Sequence, residues 1–290
     1  MSIRSTGLRG LWKDVKRDRW LYVFLIPAIV YFFIFHYIPM YGLKIAFYDY
    51  NAYAPEKSEF VGFQKIIDLF KKDQFLRALK NTVWISLLKL LIGFPAPIIL
   101  ALLLNEMLNL QYKRVSQTLL YLPHFVSWVV LGGILMDLLD PTRGFITQII
   151  NRATGEEIQV LTDNRYFVPM LVISQLYKEV GWGTILYLAA ISGIDPQLYE
   201  AAAIDGAGRW KMALHITLPA LIPTMVVVFT LNLGGVLRAG FDQIFVLYSP
   251  LVYETADIID TYVYRIGIKK SDYSFSTAAG MFQSFVGLVL

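Results

Sequence analysis

The chain contains no cysteine. Disulfides, thiolate metal sites and cysteine nucleophiles are therefore excluded. Histidine is nearly as scarce: His36, His124 and His215 are too scattered for any metal-ligand spacing, and no metal is expected. Charge is thin, at 17% of 290 residues, where soluble domains carry roughly a quarter. No G-x-x-x-x-G-K-[ST] pattern occurs, so there is no phosphate-cradling loop for a nucleotide. Nor do carboxylates and histidines cluster as an acid–base or metal site requires, which argues against a membrane enzyme acting on lipid or glycan; no catalytic residue is nominated. What is abundant is apolar surface: 56% of the residues are hydrophobic. The expected class is an all-α, polytopic membrane protein.

A helix needs about 20 apolar residues to cross a bilayer. Apolar runs cover residues 21–47, 82–104 (with Pro95 and Pro97), 119–139 (with Pro123 near its start), 167–194 (interrupted by Lys178 and Glu179), 220–247 (interrupted by Arg238 and Asp242) and 275–290. The last is short for a span, so the sequence is expected to continue past Leu290. Residues 1–19 form a basic tail carrying Arg4, Arg9, Lys13, Lys16, Arg17 and Arg19, ahead of a transmembrane domain over 20–290. The tail is too long and basic for a cleaved signal peptide, and without a folded basic domain it does not suggest nucleic acid. It reads as a cytoplasmic juxtamembrane segment. The charge rule is not cleanly obeyed: with the tail included the inside segments hold ten Lys and Arg, and the longer outside segments, rich also in Asp and Glu, hold twelve, so the orientation rests on this short, dense tail. Residues 105–116 and 195–219 then face the cytoplasm, while 140–166 and 248–274 are polar outer loops. Apolar positions Phe63, Ile66, Ile67 and Phe70 recur at helical spacing within 60–80, predicting a helix lying on the membrane or on the spans.

The cytoplasmic stretch YEAAAIDGAGRWKMALHITLP, residues 199–219, is too ordered for a connecting loop. Asp195-Pro196 is a helix start, with an N-cap aspartate and proline in the first turn. Gln197 to Ile204 is rich in alanine, the best helix former. Asp205-Gly206 breaks that helix, a second is expected over Ala207–His215, and Pro219 stops it or bends it into the next span. The small face of Ala201, Ala202 and Ala203 allows close approach of another surface, to which Glu200 and Asp205 offer acceptors.

Glu200-Ala201-Ala202, three residues, Gly206, nine residues, Ile216, one residue, Leu218-Pro219 resembles the EAA loop of ABC importer permeases at every fixed position. ALKNTVWIS (78–86) and YLPHFVSWVV (121–130) are similar to the carbohydrate-type branch, and AGFDQIFVLYSPLVYETADIIDTYVYRIGI (239–268) to its polysaccharide, or LplB-like, group. The resemblance implies a six-helix type I importer domain with cytoplasmic coupling helices, in a bacterial cell membrane. It implies a homologous second permease, an ATPase pair binding ATP and Mg, an extracellular solute-binding lipoprotein and a sugar or oligosaccharide cargo. The chain itself would bind no cofactor and hydrolyse nothing. Glu200, Ala201, Ala202, Asp205, Gly206, Ile216, Leu218 and Pro219 would couple it to the ATPase.

Charges inside spans cost about +2.5 to +3.5 kcal/mol each on insertion scales and so face a bundle interior or water. Arg238 and Asp242 lie four apart in the fifth run, a spacing that puts them on one helix face where they can pair. With Asn232, Tyr177, Trp182 and Glu179 they are the candidates for the substrate path. Gly181-Trp182-Gly183 is expected to unwind the fourth span locally, and Trp182 and Tyr177 suit stacking on a sugar ring. Lys178 and Glu179 are adjacent and should point to different sides. His124 and Trp128 are weaker candidates; Lys89 is expected to snorkel or pair, and Lys44, near the outer end of the first span, to snorkel. A secondary transporter would need ion-coupling carboxylates in broken helices, for which Asp242 is the only comparable group. A permease for peptides or amino acids would carry the same EAA loop.

Overall fold

The computed structural model describes residues 19–289; the basic residues Arg4 to Arg17 of the tail, and Leu290, lie outside them. α1 (Arg19–Phe47) is apolar on all sides and buries none of its membrane-length window, as expected of a helix whose solvent is lipid. A two-stranded antiparallel ribbon (β1, Tyr48–Asp49; β2, Glu59–Phe60) follows. The helix expected within 60–80 is in fact divided. α2 covers only Gln64–Leu69, and Asp73 already opens the long α3 (Asp73–Asn105). α3 changes character at Phe94, where Pro95 starts a new helical segment.

The third run is not one straight span. α4 (Leu110–Phe125), capped by the Asn109 side chain on the Gln111 and Tyr112 amides, meets α5 (Trp128–Leu138) at 98°. The causes are local: Pro123 closes a tight turn over Leu122–Phe125, and the Ser127 hydroxyl caps the next helix through the Val130 amide. The outer segment 140–166 carries α6 (Phe145–Thr154). α7 (Asn164–Ser192) begins at an Asp163 N-cap and runs 29 residues without interruption. The unwinding expected at Gly181-Trp182-Gly183 therefore does not occur. These glycines serve contact instead: a Cβ on Gly181 would sit 2.0 Å from the Leu120 carbonyl oxygen of α4, and one on Gly183 would sit 2.8 Å from Pro97.

α8 (Pro196–Ile204) and α9 (Arg209–Ala220) form a helical hairpin, and α9 meets α10 (Ile222–Leu233) at 57°. The fifth run then breaks completely. Residues 234–240 are non-helical before α11 (Phe241–Leu247). Short α12 (Tyr253–Ala256) and α13 (Ile259–Val263) lead to α14 (Tyr273–Val289). Within the described residues two helices, α1 and α3, are long and apolar enough to cross a membrane, and the bent pairs α4–α5 and α9–α10 qualify if each is one span.

Three apolar clusters tie these elements together. One joins Phe167, Leu171, Ile244, Leu247 and Ile258; one joins Leu69, Phe75, Tyr262 and Ala278; one joins Ile98, Tyr187, Ile191 and Leu221. The segment expected as a polar loop over 248–274 is largely interior. Asp257, fully buried, pairs with Arg265 at 2.5 Å, and the Asn81 amide donates to the Glu254 and Asp257 carbonyls at 3.0 and 3.1 Å. A buried ion pair is tolerated when its remaining hydrogen bonds are satisfied, and Thr261 completes this one by donating to Asp257.

Candidate functional site

The α8–α9 hairpin is built as its sequence requires. Asp195 accepts from the Gln197 amide at 2.9 Å, with Pro196 in the first turn. At the other end Gly206 N–H donates to Ala203 O at 3.0 Å and Ala207 N–H to Ala202 O at 2.9 Å. These are the paired bonds of a Schellman cap, which needs a left-handed residue at its centre; Gly206 has φ +76°. The second helix starts later and runs further than expected, over Arg209–Ala220, and passes through Ile216, Leu218 and Pro219. The bend into α10 falls just after Pro219. Tyr199 and Thr217 hydroxyls bond at 2.9 Å, locking the two helices. Arg209 reaches back to Glu106 beyond α3, 3.8 Å away. Glu200, Ala201 and Asp205 are exposed, as are the apolar Leu198, Ile204, Trp210 and Leu214. Ala202 is half-buried.

A second feature lies among α3, α7, α10 and the break at 234–240. A cavity of about 420 Å³ is lined by Lys89, Glu179, Trp182, Asn232 and Arg238, with Phe94, Pro97 and Leu186 supplying apolar wall. Four of the six path candidates thus converge. Tyr177 does not line this cavity, because α7 turns it outward to 60% exposure. Asp242 lies elsewhere too, in a separate hollow with His124, Trp128 and Lys178. The expected Arg238–Asp242 pair does not form: the helix that would have set them one turn apart is broken between them.

Each break in a span frees backbone carbonyls, which inside a membrane must find donors. Lysines supply them. Lys178 of α7, 6% exposed, donates to the Pro123 oxygen at 3.4 Å, to the Val126 oxygen at 2.8 Å and to the His124 oxygen. Lys89 of α3 donates to the Ala239 oxygen at 2.7 Å and to Gln243. Gln243, fully buried, passes the network to the Leu171 oxygen and the Ser174 hydroxyl. Gln283 of α14 donates to the Leu237 oxygen at 2.8 Å. Lys89 therefore neither snorkels nor pairs with a carboxylate. Lys44 keeps a surface role, 4.0 Å over the Tyr41 ring.

His124 proves more central than its sequence position suggests. Its ring stacks on Trp182 at 4.3 Å and 2°, its Nδ1 lies 2.7 Å from Glu179, and Phe125 meets the same indole edge-on at 5.5 Å. Lys178 and Glu179 line different hollows, yet both reach the Pro123–Val126 turn, one through its backbone and one through His124. The result is an indole platform fixed from behind, 43% exposed, on the wall of a largely apolar cavity that holds a few polar side chains. Such a surface can stack on the apolar face of a pyranose while Asn232, Glu179 and Arg238 meet its hydroxyls. Two signals in the sequence could have located the breaks: Pro123 followed by Ser127 as an N-cap, and Gly234-Gly235 followed by Gly240.

The family profile of the binding-protein-dependent transport system inner membrane component matches residues 93–290. The chain is 48% identical over 277 residues to "Protein LplB" of Bacillus subtilis (strain 168), covering 95% of this chain and 87% of that protein. It is 44% identical to the polygalacturonan/rhamnogalacturonan transport system permease protein YteP of the same organism, over 94% of this chain and 86% of that one. Among solved structures, a chain of a bacterial ABC transporter involved in import of the acidic polysaccharide alginate superposes with a TM-score of 0.89 at 44% identity, covering 96% of this chain and 94% of that chain. A structure of the alginate transporter in complex with an alginate pentasaccharide-bound periplasmic protein gives 0.88 at 44% identity, over 96% and 93%. Fold and sequence agree: the chain belongs to the family of binding-protein-dependent transport system inner membrane components.

Proposed function

We propose that this chain is the permease subunit of an ATP-driven importer for sugar oligomers, forming half of the translocation path. The observation that carries the cargo reading is the braced Trp182 platform, facing a cavity of about 420 Å³ that also holds Asn232, Glu179 and Arg238. Relatives named for polysaccharide transport support it. The second permease, the ATPase pair with its ATP and Mg, and the solute-binding protein are separate chains. This one hydrolyses nothing.

The α8–α9 hairpin is the coupling element. Its exposed Glu200 and Asp205, the Ala201 face and the apolar Leu198, Ile204 and Trp210 edges suit a cleft on the ATPase. The Schellman cap makes it one rigid body, and Ile216, Leu218 and Pro219 carry its movement into α10. ATPase closure then rocks the permease pair outward toward the loaded binding protein, and hydrolysis returns it inward. In this reading the N-terminus and the hairpin are cytoplasmic, and the chain is a multi-pass protein of the bacterial cell membrane.

The test is ATP-dependent uptake of labelled oligosaccharide in proteoliposomes holding the complete importer, with Trp182→Ala as the probe. A stacked aromatic is worth about 0.5–1.5 kcal/mol beyond its buried area, so uptake should fall several-fold while the ATPase still co-purifies. Unchanged uptake would remove Trp182 from the path.

A further inference from the structure

The backbone around Arg238 is held with unusual care. Its neighbours Leu237 and Ala239 are 5% and 1% exposed. The carbonyl of each accepts from a side chain of a different helix: Leu237 from Gln283 of α14, Ala239 from Lys89 of α3. Arg238 itself is exposed, on the wall of the cavity. Among the described residues no carboxylate lies within ion-pair distance of its guanidinium. The other cation on the wall, Lys89, is taken up by Ala239 and Gln243. The wall's carboxylate, Glu179, is engaged by His124 at 2.7 Å and Lys178 at 3.7 Å. Asp260, which accepts from the same Gln283 amide at 3.2 Å, acts on Arg238 only through space. On the wall itself Arg238 is thus the charge without a contacting partner, a cation on a segment pinned from both sides.

We propose that Arg238 is the specificity residue for an anionic cargo, reading the carboxylates of an acidic oligosaccharide such as a chain of uronic acids. This rests on the reading of the cavity as part of a sugar path. A guanidinium offers paired donors in a planar fork that matches a carboxylate, and a charge inside a membrane is retained only where something repays its desolvation. Holding the backbone by Lys89 and Gln283 sets the fork in place before cargo arrives, so less ordering is lost on each passage. A phosphate ester is the other oxyanion such a fork accepts, and the test separates the two.

The complete importer is reconstituted with the binding protein loaded in turn with a short oligogalacturonate, its methyl ester and a phosphorylated oligosaccharide of equal length. Uptake is measured for wild type, Arg238→Gln, Arg238→Lys and Arg238→Glu, with co-purification of the partner subunits as the assembly control. Loss of charge-assisted hydrogen bonds should lower uptake of the free acid roughly 10-fold or more in R238Q, more in R238E and less in R238K, with the methyl ester insensitive to all three. Should R238Q fail to assemble, the acid-to-ester ratio of R238K against wild type decides in the same way. Equal acid uptake by wild type and R238Q, or an equal fall for acid and ester, overturns the assignment and leaves the import reading intact. Arg238-dependent uptake of the phosphorylated sugar without the acid overturns the carboxylate class. A wild-type importer that carries none of the three overturns the import reading itself.

Discussion

Lys178→Met removes the donor that seals the 98° break between α4 and α5. The Pro123 oxygen keeps the Val126 amide at 3.2 Å as a partner. The His124 and Val126 oxygens have only Lys178 among the described contacts. The perturbation therefore orphans two half-buried carbonyls and exchanges an ammonium for a methyl. An orphaned buried acceptor costs about 1–3 kcal/mol, and interhelical bonds measured in a membrane protein average about 0.6 kcal/mol. Relief of the lysine's own desolvation works in the opposite direction. Both carbonyls border the hollow that Asp242 lines and are only half-buried, so the loss should be that of about one fully orphaned acceptor, roughly 1–3 kcal/mol. Equilibrium unfolding in mixed detergent micelles measures it, with Lys178→Gln recovering part because an amide still donates. If K178M stays within about 0.5 kcal/mol of wild type, or K178Q is no better than K178M, the lysine does not seal the break.

Three further outcomes follow from the same geometry. Gly181→Ala should destabilise by about 1–3 kcal/mol or more, since its methyl would meet the backbone oxygen of Leu120 at 2.0 Å; the same unfolding assay reads this, and a neutral result would mean α4 and α7 slide apart freely. Gly206→Val places a β-branched residue at φ +76°, costing roughly 1–2 kcal/mol locally. The hairpin should then lose its cap, and the ATPase should co-purify poorly although the permease remains folded; full recovery of ATPase would argue against hairpin docking. Asp140, in the loop between α5 and α6, is held down to about 2 by the Arg143 amide and by the Thr142 hydroxyl and amide. Its folded value is depressed, so its contribution to holding the loop is complete above the usual aspartate range near 4 and disappears as pH falls through about 2. A carboxyl NMR titration with a midpoint near 4 would refute this.

The hairpin was legible in the sequence because its chemistry is local. Asp195, Pro196, the alanines and Gly206 each act on the backbone within a few residues, and the structure repeats their order. The polar members of the cavity were legible one by one, since Glu179, Trp182, Asn232 and Arg238 are conspicuous in apolar runs. Their arrangement was not. Lys178 acts on carbonyls 52–55 residues away and Lys89 on one 150 residues away. Backbone acceptors leave no trace in residue identity, so both lysines read as stray charges. Hydropathy likewise sees 119–139 and 220–247 each as one continuous span, and helical spacing then pairs Arg238 with Asp242 across a break it cannot detect. Gly181 and Gly183 looked like weak points because glycine lowers helix propensity; what decided their role was the approach of Leu120 and Pro97.

The two sealing lysines also set a schedule for synthesis. When Lys178 enters the membrane, the carbonyls that receive it have already been made, 52–55 residues earlier. Lys89 enters with its acceptor still 150 residues from completion. Until Ala239 emerges, the second span carries an unmatched cation that must be kept at the interface or inside the insertion machinery. The chain's assembly is thus completed from its C-terminal half backwards onto α3, and a slow step in biogenesis should be found at the arrival of the broken fifth span.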